Sequence, residues 1–595
     1  MNLSEIQAHV TELEEQLANL PAGSITKKNI NGKIYYYHRW VENKKRKEKY
    51  IPADELQIFQ EQIEQRKEIE KKLKLLKKQL PKEIKIDTDE FATNVLMGEA
   101  LRPYIVNVRG YRKRECFKKM HDYIYGPHQD KVLILYGLRR TGKTTMIRQI
   151  FAEMSDADLA KTAFIQITAR DTLKELNRDL RLLQSRGFRY IFIDEVTLMN
   201  DFIEGAALLS DIFVACGMKI VLSGTDSLGF IFTEDEQLYD RCILLHTTFI
   251  SYREFEYVLG IVGIDEYIRY GGTMSLGGIN YNETSTFANK ESTDEYVDTA
   301  IARNIQHSLR CYQYEGHFRH LQNLYEKNEL TNAINRVVED INHRFTLEVL
   351  TQDFISHDFG ISASNLRRDH KNPTDILDHV DYSSVIDNLR RLLEIRNKEE
   401  QNVELKDVHV AEIKEYLKLL DLIQEIDVIH LPVVNTKSNR TVIAQPGLRY
   451  AQADALIRSL LLDKTFSMLP LAERMAVQKR ILSEIKGRML EDIVLLETKI
   501  ANPKKEVFVL QFPVGEFDMV VFDPDNSSCQ IFAIKYNDEI VQQQYRHLVN
   551  AEKCAQTEYR YGTIVGKYVL YRGTNKKVDD IQYLNVEEYL KNLGC

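Results

Sequence analysis

The chain has 595 residues, 44% of them apolar and 28% charged, with a formal net charge of −8. That length exceeds one hydrophobic core and sets an expectation of about three to five domains. No apolar run is long enough to span a bilayer, and the start Met1-Asn2-Leu3-Ser4-Glu5 lacks the basic and apolar segments of a secretory leader. The seven scattered cysteines argue against a zinc knuckle and fit a reducing, cytoplasmic setting. The acidic balance excludes a global attraction to nucleic acid, so any such binding rests on local patches.

Residues 1–90 read as a separate N-terminal segment. Leu3 to Leu20 and Asp54 to Leu80 have helical apolar spacing, and the second is dense in Glu and Lys at three- and four-residue intervals. Between them, Asn31-Gly32 signals a two-residue hairpin and Glu42-Asn43 a second turn. The reading is a three-stranded meander clasped by two helices that pair as a coiled coil. The meander carries Lys27, Lys28, Lys33, Arg39, Lys44, Lys45, Arg46, Lys47 and Lys49 against Glu42 and Glu48, interleaved with Tyr35, Tyr36, Tyr37 and Trp40. Two readings stay open: a DNA or RNA surface over residues 24–51, or rings that pack the helices while lysines solvate an edge. The N-terminal helices are also a candidate protein-partner site.

From 91 to 260, strands and helices alternate, which implies a parallel sheet with crossover helices. Within it, Lys131-Val-Leu-Ile-Leu-Tyr-Gly-Leu-Arg-Arg-Thr-Gly-Lys-Thr-Thr145 is an apolar strand running into a glycine-spaced turn and a helix. Gly137 and Gly142 let the backbone turn its N–H groups inward at a helix N-terminus, an anion nest. Arg139, Arg140, Thr141 and Thr145 complete the phosphate-binding set, Lys143 reaches the β/γ-phosphates, and the Thr144 hydroxyl ligates Mg²⁺. Lys161 to Ala169 reads as a strand and Asp171 to Arg186 as a helix. Arg189 to Glu195 is then a buried strand ending in two carboxylates, Asp194 for the Mg²⁺ shell and Glu195 beside it. Lys219 to Thr225 is a third parallel strand, whose Ser223 either senses the γ-phosphate or is a plain turn hydroxyl.

Residues 261–343 are mostly helical and read as a lid. Within 344–445, an amphipathic helix over Ala411 to Glu425 precedes strands at Ile426 to Val433 and Thr441 to Ala444, the shape of a winged helix, which reads as a second DNA or RNA site or as a spacer. Residues 446–595 read as α+β: a helix at Ile485 to Ile500, strands at Glu506 to Pro513, Phe517 to Phe522 and Gln530 to Tyr536, a helix near Glu539 to Cys554, and a strand at Gly566 to Tyr571.

Taken together, Tyr136 to Thr145, Ile193-Asp-Glu195, Leu222-Ser-Gly-Thr-Asp-Ser227, Asp240-Arg241, Ser251-Tyr-Arg-Glu-Phe255, Tyr267 to Gly272 and Tyr296 to Ile301 resemble a group of prokaryotic AAA+-type P-loop ATPases. Members of that group carry a winged-helix segment and a C-terminal restriction-endonuclease-like domain. The resemblance covers about residues 100–595 and is most specific between 131 and 305. It implies a multidomain α/β fold, bound ATP or ADP with Mg²⁺, homo-oligomerisation, Glu195 orienting the attacking water, and Arg241 as an arginine finger. Here the family glycine before that arginine is Asp240, which could pair with it. For the C-terminal domain, Glu491, Asp518 and Lys535 fall on the nuclease-like positions. Aligned one way the catalytic Glu is Ala533; aligned the other, Glu and Lys become Lys535 and Asn537. A metal-binding carboxylate is missing either way, so the expectation is a nuclease fold used for binding or assembly. The whole reads as a Mg²⁺-dependent ATPase switch linked to nucleic acid, in mobile-element biology or phage defence. The alternatives are a protein-partner scaffold ATPase and an ATP-gated nuclease.

Overall fold

A computed structural model describes residue 13 and residues 20–79, 90–349 and 405–594, apart from short internal stretches. The expected first helix, Leu3 to Leu20, and most of 344–404 lie outside the described residues. The chain divides into two compact units, Met1–Glu90 and Phe91–Cys595.

In the first unit, strands β1 (Ser24–Ile30), β2 (Lys33–Glu42) and β3 (Lys45–Ile51) form the expected antiparallel meander. A helix follows at Leu56–Gln79. Alternation along β2 sends His38 and Trp40 to one face, where they stack at 4.9 Å and His38 meets Phe59 of the helix at 5.2 Å. Tyr37 opposes Tyr50 and so lies on the other face.

In the second unit, a six-stranded sheet has the order β4-β6-β7-β8-β5-β9. Its strands are β4 (Asn94–Met97), β5 (Val132–Tyr136), β6 (Thr162–Gln166), β7 (Tyr190–Asp194), β8 (Lys219–Gly224) and β9 (Cys242–His246). All are parallel except β4, which runs against β6. Every residue of β5, β7 and β8 is buried, as a strand covered on both faces requires. Successive residues of β5 feed two different cores. Val132 and Ile134 pack with Leu176 and Leu180 of the helix Leu173–Ser185. Leu133 and Leu135 pack with Met146 and Ile150 of the helix Lys143–Glu153. Insertion of β8 between β7 and β5 brings the carboxyl ends of three strands side by side, where ligands of open α/β sheets bind.

The C-terminal half is built on an eight-stranded sheet of order β11-β10-β12-β13-β14-β15-β17-β16. Its strands are β10 (Ile423–His430), β11 (Lys437–Ile443), β12 (Glu506–Gln511), β13 (Glu516–Asp523), β14 (Ser528–Ile534), β15 (Thr563–Tyr571), β16 (Lys576–Val578) and β17 (Ile581–Asn585). The long helix Leu471–Ala501 packs Ile485 and Met489 against Val507, Met519 and Phe532 of that sheet. Here the structure departs from the sequence reading. The two strands expected as a wing do follow a helix (Asp407–Leu419), but β10 also pairs in parallel with β12, Val428 opposite Val509. They are the edge of the C-terminal sheet, and a boundary at 445/446 cuts through it. The helix expected near Glu539 to Cys554 instead starts at Ala551, because the Asn550 side chain caps it by accepting from Lys553 N at 3.0 Å.

Candidate nucleotide site

The turn after β5 is shaped by its glycines. Gly137 has φ 139°, and a Cβ there would sit 2.3 Å from the Thr247 carbonyl oxygen. Gly142, at φ 91°, forms the N-cap of the helix Lys143–Glu153. No L-residue with a side chain fits either place without strain. The backbone thus brings the loop's N–H groups and the positive end of an eleven-residue helix to one point.

Lys143 is buried, and its Nζ donates to the carbonyl oxygens of Gly137 at 2.7 Å and Leu138 at 2.8 Å. Burial lowers its pKa to about 8, against the opposing pull of Glu195 and Asp194. Those carbonyls hold the ammonium in the mouth of the loop. The Thr144 hydroxyl donates to Asp194 Oδ2 at 3.2 Å, which places the two expected Mg²⁺ groups together across the intervening β8. Glu195 adopts a left-handed backbone, φ 55°, rare for a residue with a side chain. Burial and the neighbouring Asp194 raise its pKa, and Thr225 Oγ1 donates to its carboxylate at 3.3 Å. Ser223, one strand over, is fully buried with its hydroxyl lacking a hydrogen-bond partner among the described residues. A nest of N–H groups, a buried ammonium, a hydroxyl–carboxylate pair and an unsatisfied hydroxyl together fit a magnesium-bound nucleoside phosphate.

The remaining loop residues face the helical region. Arg140 donates to Thr286 Oγ1 at 2.7 Å, and its carbonyl accepts from Met274 N at 2.8 Å. The Arg139 carbonyl accepts from the Tyr296 hydroxyl at 3.5 Å. The Thr141 hydroxyl bonds to Leu138 O and the Thr247 hydroxyl, both at 2.8 Å, and Thr145, the third residue of the helix, lies half-buried.

Arg241 is not brought to this point. It precedes β9, at the end of the sheet opposite the loop, where its Nε pairs with Asp211 at 2.8 Å. Its neighbour Asp240 pairs with Lys131 at 2.6 Å rather than with Arg241.

Sequence reasoning missed Arg114. Its buried guanidinium donates to the Thr141 carbonyl at 2.9 Å, to the Thr248 carbonyl at 3.2 Å and to Glu254 at 3.1 Å. It braces the phosphate loop, the turn after β9 and the helix Tyr252–Leu259 at once. His246 was missed too. It stacks on Tyr136 at 4.6 Å, and burial lowers its pKa to about 4, so it stays neutral beside Lys143. Neither residue belongs to a contiguous motif.

The nuclease-like residues do assemble, in a different setting. Asp518 on β13 accepts from Ile534 N at 2.7 Å and Lys535 Nζ at 3.0 Å. Glu491 is paired with Arg488 at 2.7 Å and with Arg440 of β11 at 3.4 Å. Burial pushes the Glu491 carboxyl up, but Arg488, Arg440 and Lys535 hold it below the ordinary range. Among the described residues, no group of three or more His, Cys, Asp or Glu is placed to hold a metal ion.

A family model described as an AAA domain matches residues 129–256, and one described as a domain of unknown function (DUF6788) matches residues 3–65. No curated protein matches. Among solved structures, the chain is similar to the Aeropyrum pernix Orc1 protein, solved in complex with DNA, at 13% identity over 62% of this chain and 99% of that one, with a TM-score of 0.21. It is similar also to a structure bearing on katanin self-assembly, at 17% identity over 33% and 66%, with a TM-score of 0.18. Scores that low carry no argument about this chain. The AAA match, the parallel sheet and the loop geometry define an AAA-type P-loop ATPase domain, which implies nucleotide binding. No described helix is long and apolar enough to cross a membrane.

Proposed function

We propose that the chain is a Mg²⁺-dependent ATP hydrolase whose output is conformational. The carrying observation is the meeting of Thr144 and Asp194 at 3.2 Å beside buried Lys143 and left-handed Glu195. Lys143 and the loop N–H groups neutralise the β- and γ-phosphates, Thr144 and Asp194 hold the magnesium, and Ser223 bonds the γ-phosphate. Glu195, made more basic by burial, takes the proton from the attacking water as the β–γ phosphoanhydride bond breaks to ADP and phosphate. The end of β8 and the turn after β7 are tied to one helix, Arg303–Cys311: Asn304 donates to Thr225 O at 2.7 Å, and His307 Nε2 lies 2.9 Å from Thr197 O. Loss of the γ-phosphate at Ser223 and Glu195 would therefore move that helix and the cluster around it.

Turnover by Lys143→Ala and Glu195→Gln proteins tests this. Glu195→Gln should cut hydrolysis by about a hundredfold or more while sparing binding, and Lys143→Ala should remove both. Parental rates in both would place the site elsewhere.

The switch reading extends to nucleic acid through residues 24–51, whose sequence holds nine basic residues and two acidic ones in an acidic chain. Such binding must weaken as salt rises. A scaffold ATPase with a protein partner on the N-terminal helices is the second reading, since the 3–65 match carries no assigned function.

A further inference from the structure

The meander's two faces do different work. One is closed: His38, 9% exposed, meets Phe59 of the helix Leu56–Gln79, and Ile51, only 3% exposed, lies on the same face. The other is aromatic and partly exposed. Tyr35, Tyr37 and Tyr50 cluster there, Tyr50 lying 5.9 Å from Tyr35 and 5.8 Å from Tyr37, and Tyr50 is 46% exposed. Lys28 stands over the Tyr37 ring at 4.6 Å. Lys28 and Arg39 share one carboxylate, Glu48, which leaves that face with an uncancelled positive charge. A core-packing role accounts for His38 and Trp40 but not for exposed Tyr50 and the half-buried Tyr35 and Tyr37 beside it.

We propose that the Tyr35–Tyr37–Tyr50 face is a stacking platform for single-stranded DNA, with Lys28 and Arg39 on the same face to meet the phosphates. This deepens the nucleic-acid part of the proposed function and rests on it. Ring faces can stack only on bases that are not already stacked within a duplex, so the surface favours a single strand. Charge complementarity supports the occupant, since this short segment is strongly basic in a chain of net charge −8. The platform offers ring faces and cations, and its one described carboxylate, Glu48, is already held by Lys28 and Arg39.

Fluorescence anisotropy on the full chain tests this with an oligo(dT) strand, an oligo(U) strand and a duplex of equal length. The expected order is oligo(dT) tightest. The double variant Tyr37→Val with Tyr50→Val, which keeps strand-forming residues, should weaken oligo(dT) about tenfold or more and leave the salt slope unchanged. The double Phe variant should bind like the parent. Ultraviolet cross-linking of oligo(dT) to the unaltered protein should map to Tyr35, Tyr37 or Tyr50. Tighter binding of duplex or oligo(U), parental affinity in the Val variant, or cross-links confined to other segments would overturn the proposal. Lys143→Ala protein should keep its strand affinity, so a failed ATP site and a failed platform give different results.

Discussion

Arg114 holds two backbone turns and a helix with one guanidinium, and its energetics follow from burial. It and Glu254 are 4% and 7% exposed, so neither charge is offset by water. Removing one partner of such a pair leaves a bare buried charge, at a cost of about 3–5 kcal/mol. Arg114→Ala should therefore lower stability by about that amount and loosen the phosphate loop through Thr141. Arg114→Met combined with Glu254→Gln, which removes both charges, should recover a good part of the loss. Equal destabilisation in the single and double variants, measured by denaturant unfolding, would show that the ion pair is not what holds the loop. Glycine matters in the same local way. At Gly137 the positive φ and the 2.3 Å approach to Thr247 each bar a side chain.

Elements show which parts of the fold could be read in advance. The phosphate loop and the Asp194-Glu195 pair were legible because their residues are consecutive and the backbone alone arranges them. The meander was legible because its turns are local. Arg114 contacts a loop 27 residues away, and Thr247 bonds to Thr141 across 106 residues. Neither leaves a local signal. The parallel pairing of β10 with β12 is non-local as well, so a hairpin at a sheet edge read as a free wing. The long helix Leu471–Ala501 hides another such contact. Its Glu497 accepts from Tyr252 N at 2.7 Å and the Tyr267 hydroxyl at 3.1 Å. Burial raises the Glu497 pKa to about 7, despite those donors, whereas an unfolded glutamate titrates near 4.3. Below about pH 4.3 both states hold the proton. Between there and pH 7 the unfolded chain sheds it first, so stability declines with rising pH across that window and then levels off. Glu497→Gln, neutral throughout and still an acceptor, should match the parent's thermal midpoint near pH 4 and exceed it by a few degrees at pH 8. A difference independent of pH would remove Glu497 as the cause.

At the scale of the whole unit Phe91–Cys595, the cores are shared rather than separate. Leu138 of the phosphate loop is buried among Tyr296, Ile301 and Leu448 of the helical region. Tyr252 and Tyr267 pack with Ile485 and Met489 of the C-terminal helix. A nucleotide-driven shift at the loop therefore has packed routes to both. Arg241, at the far end of the sheet from its own loop, can reach a γ-phosphate only on a neighbouring copy. If it does, Arg241→Ala and Lys143→Ala proteins, each slow alone, should regain turnover when mixed, because each supplies what the other lacks. A mixture no faster than the average of the two would assign Arg241 to its pairing with Asp211.

The most direct test of the site itself is calorimetric titration of ATP into the full chain with and without Mg²⁺. Geometry predicts one site per chain, lost in Lys143→Ala and no longer strengthened by magnesium in Asp194→Ala. Unchanged binding in the lysine variant, or a magnesium effect that survives without Asp194, would contradict it.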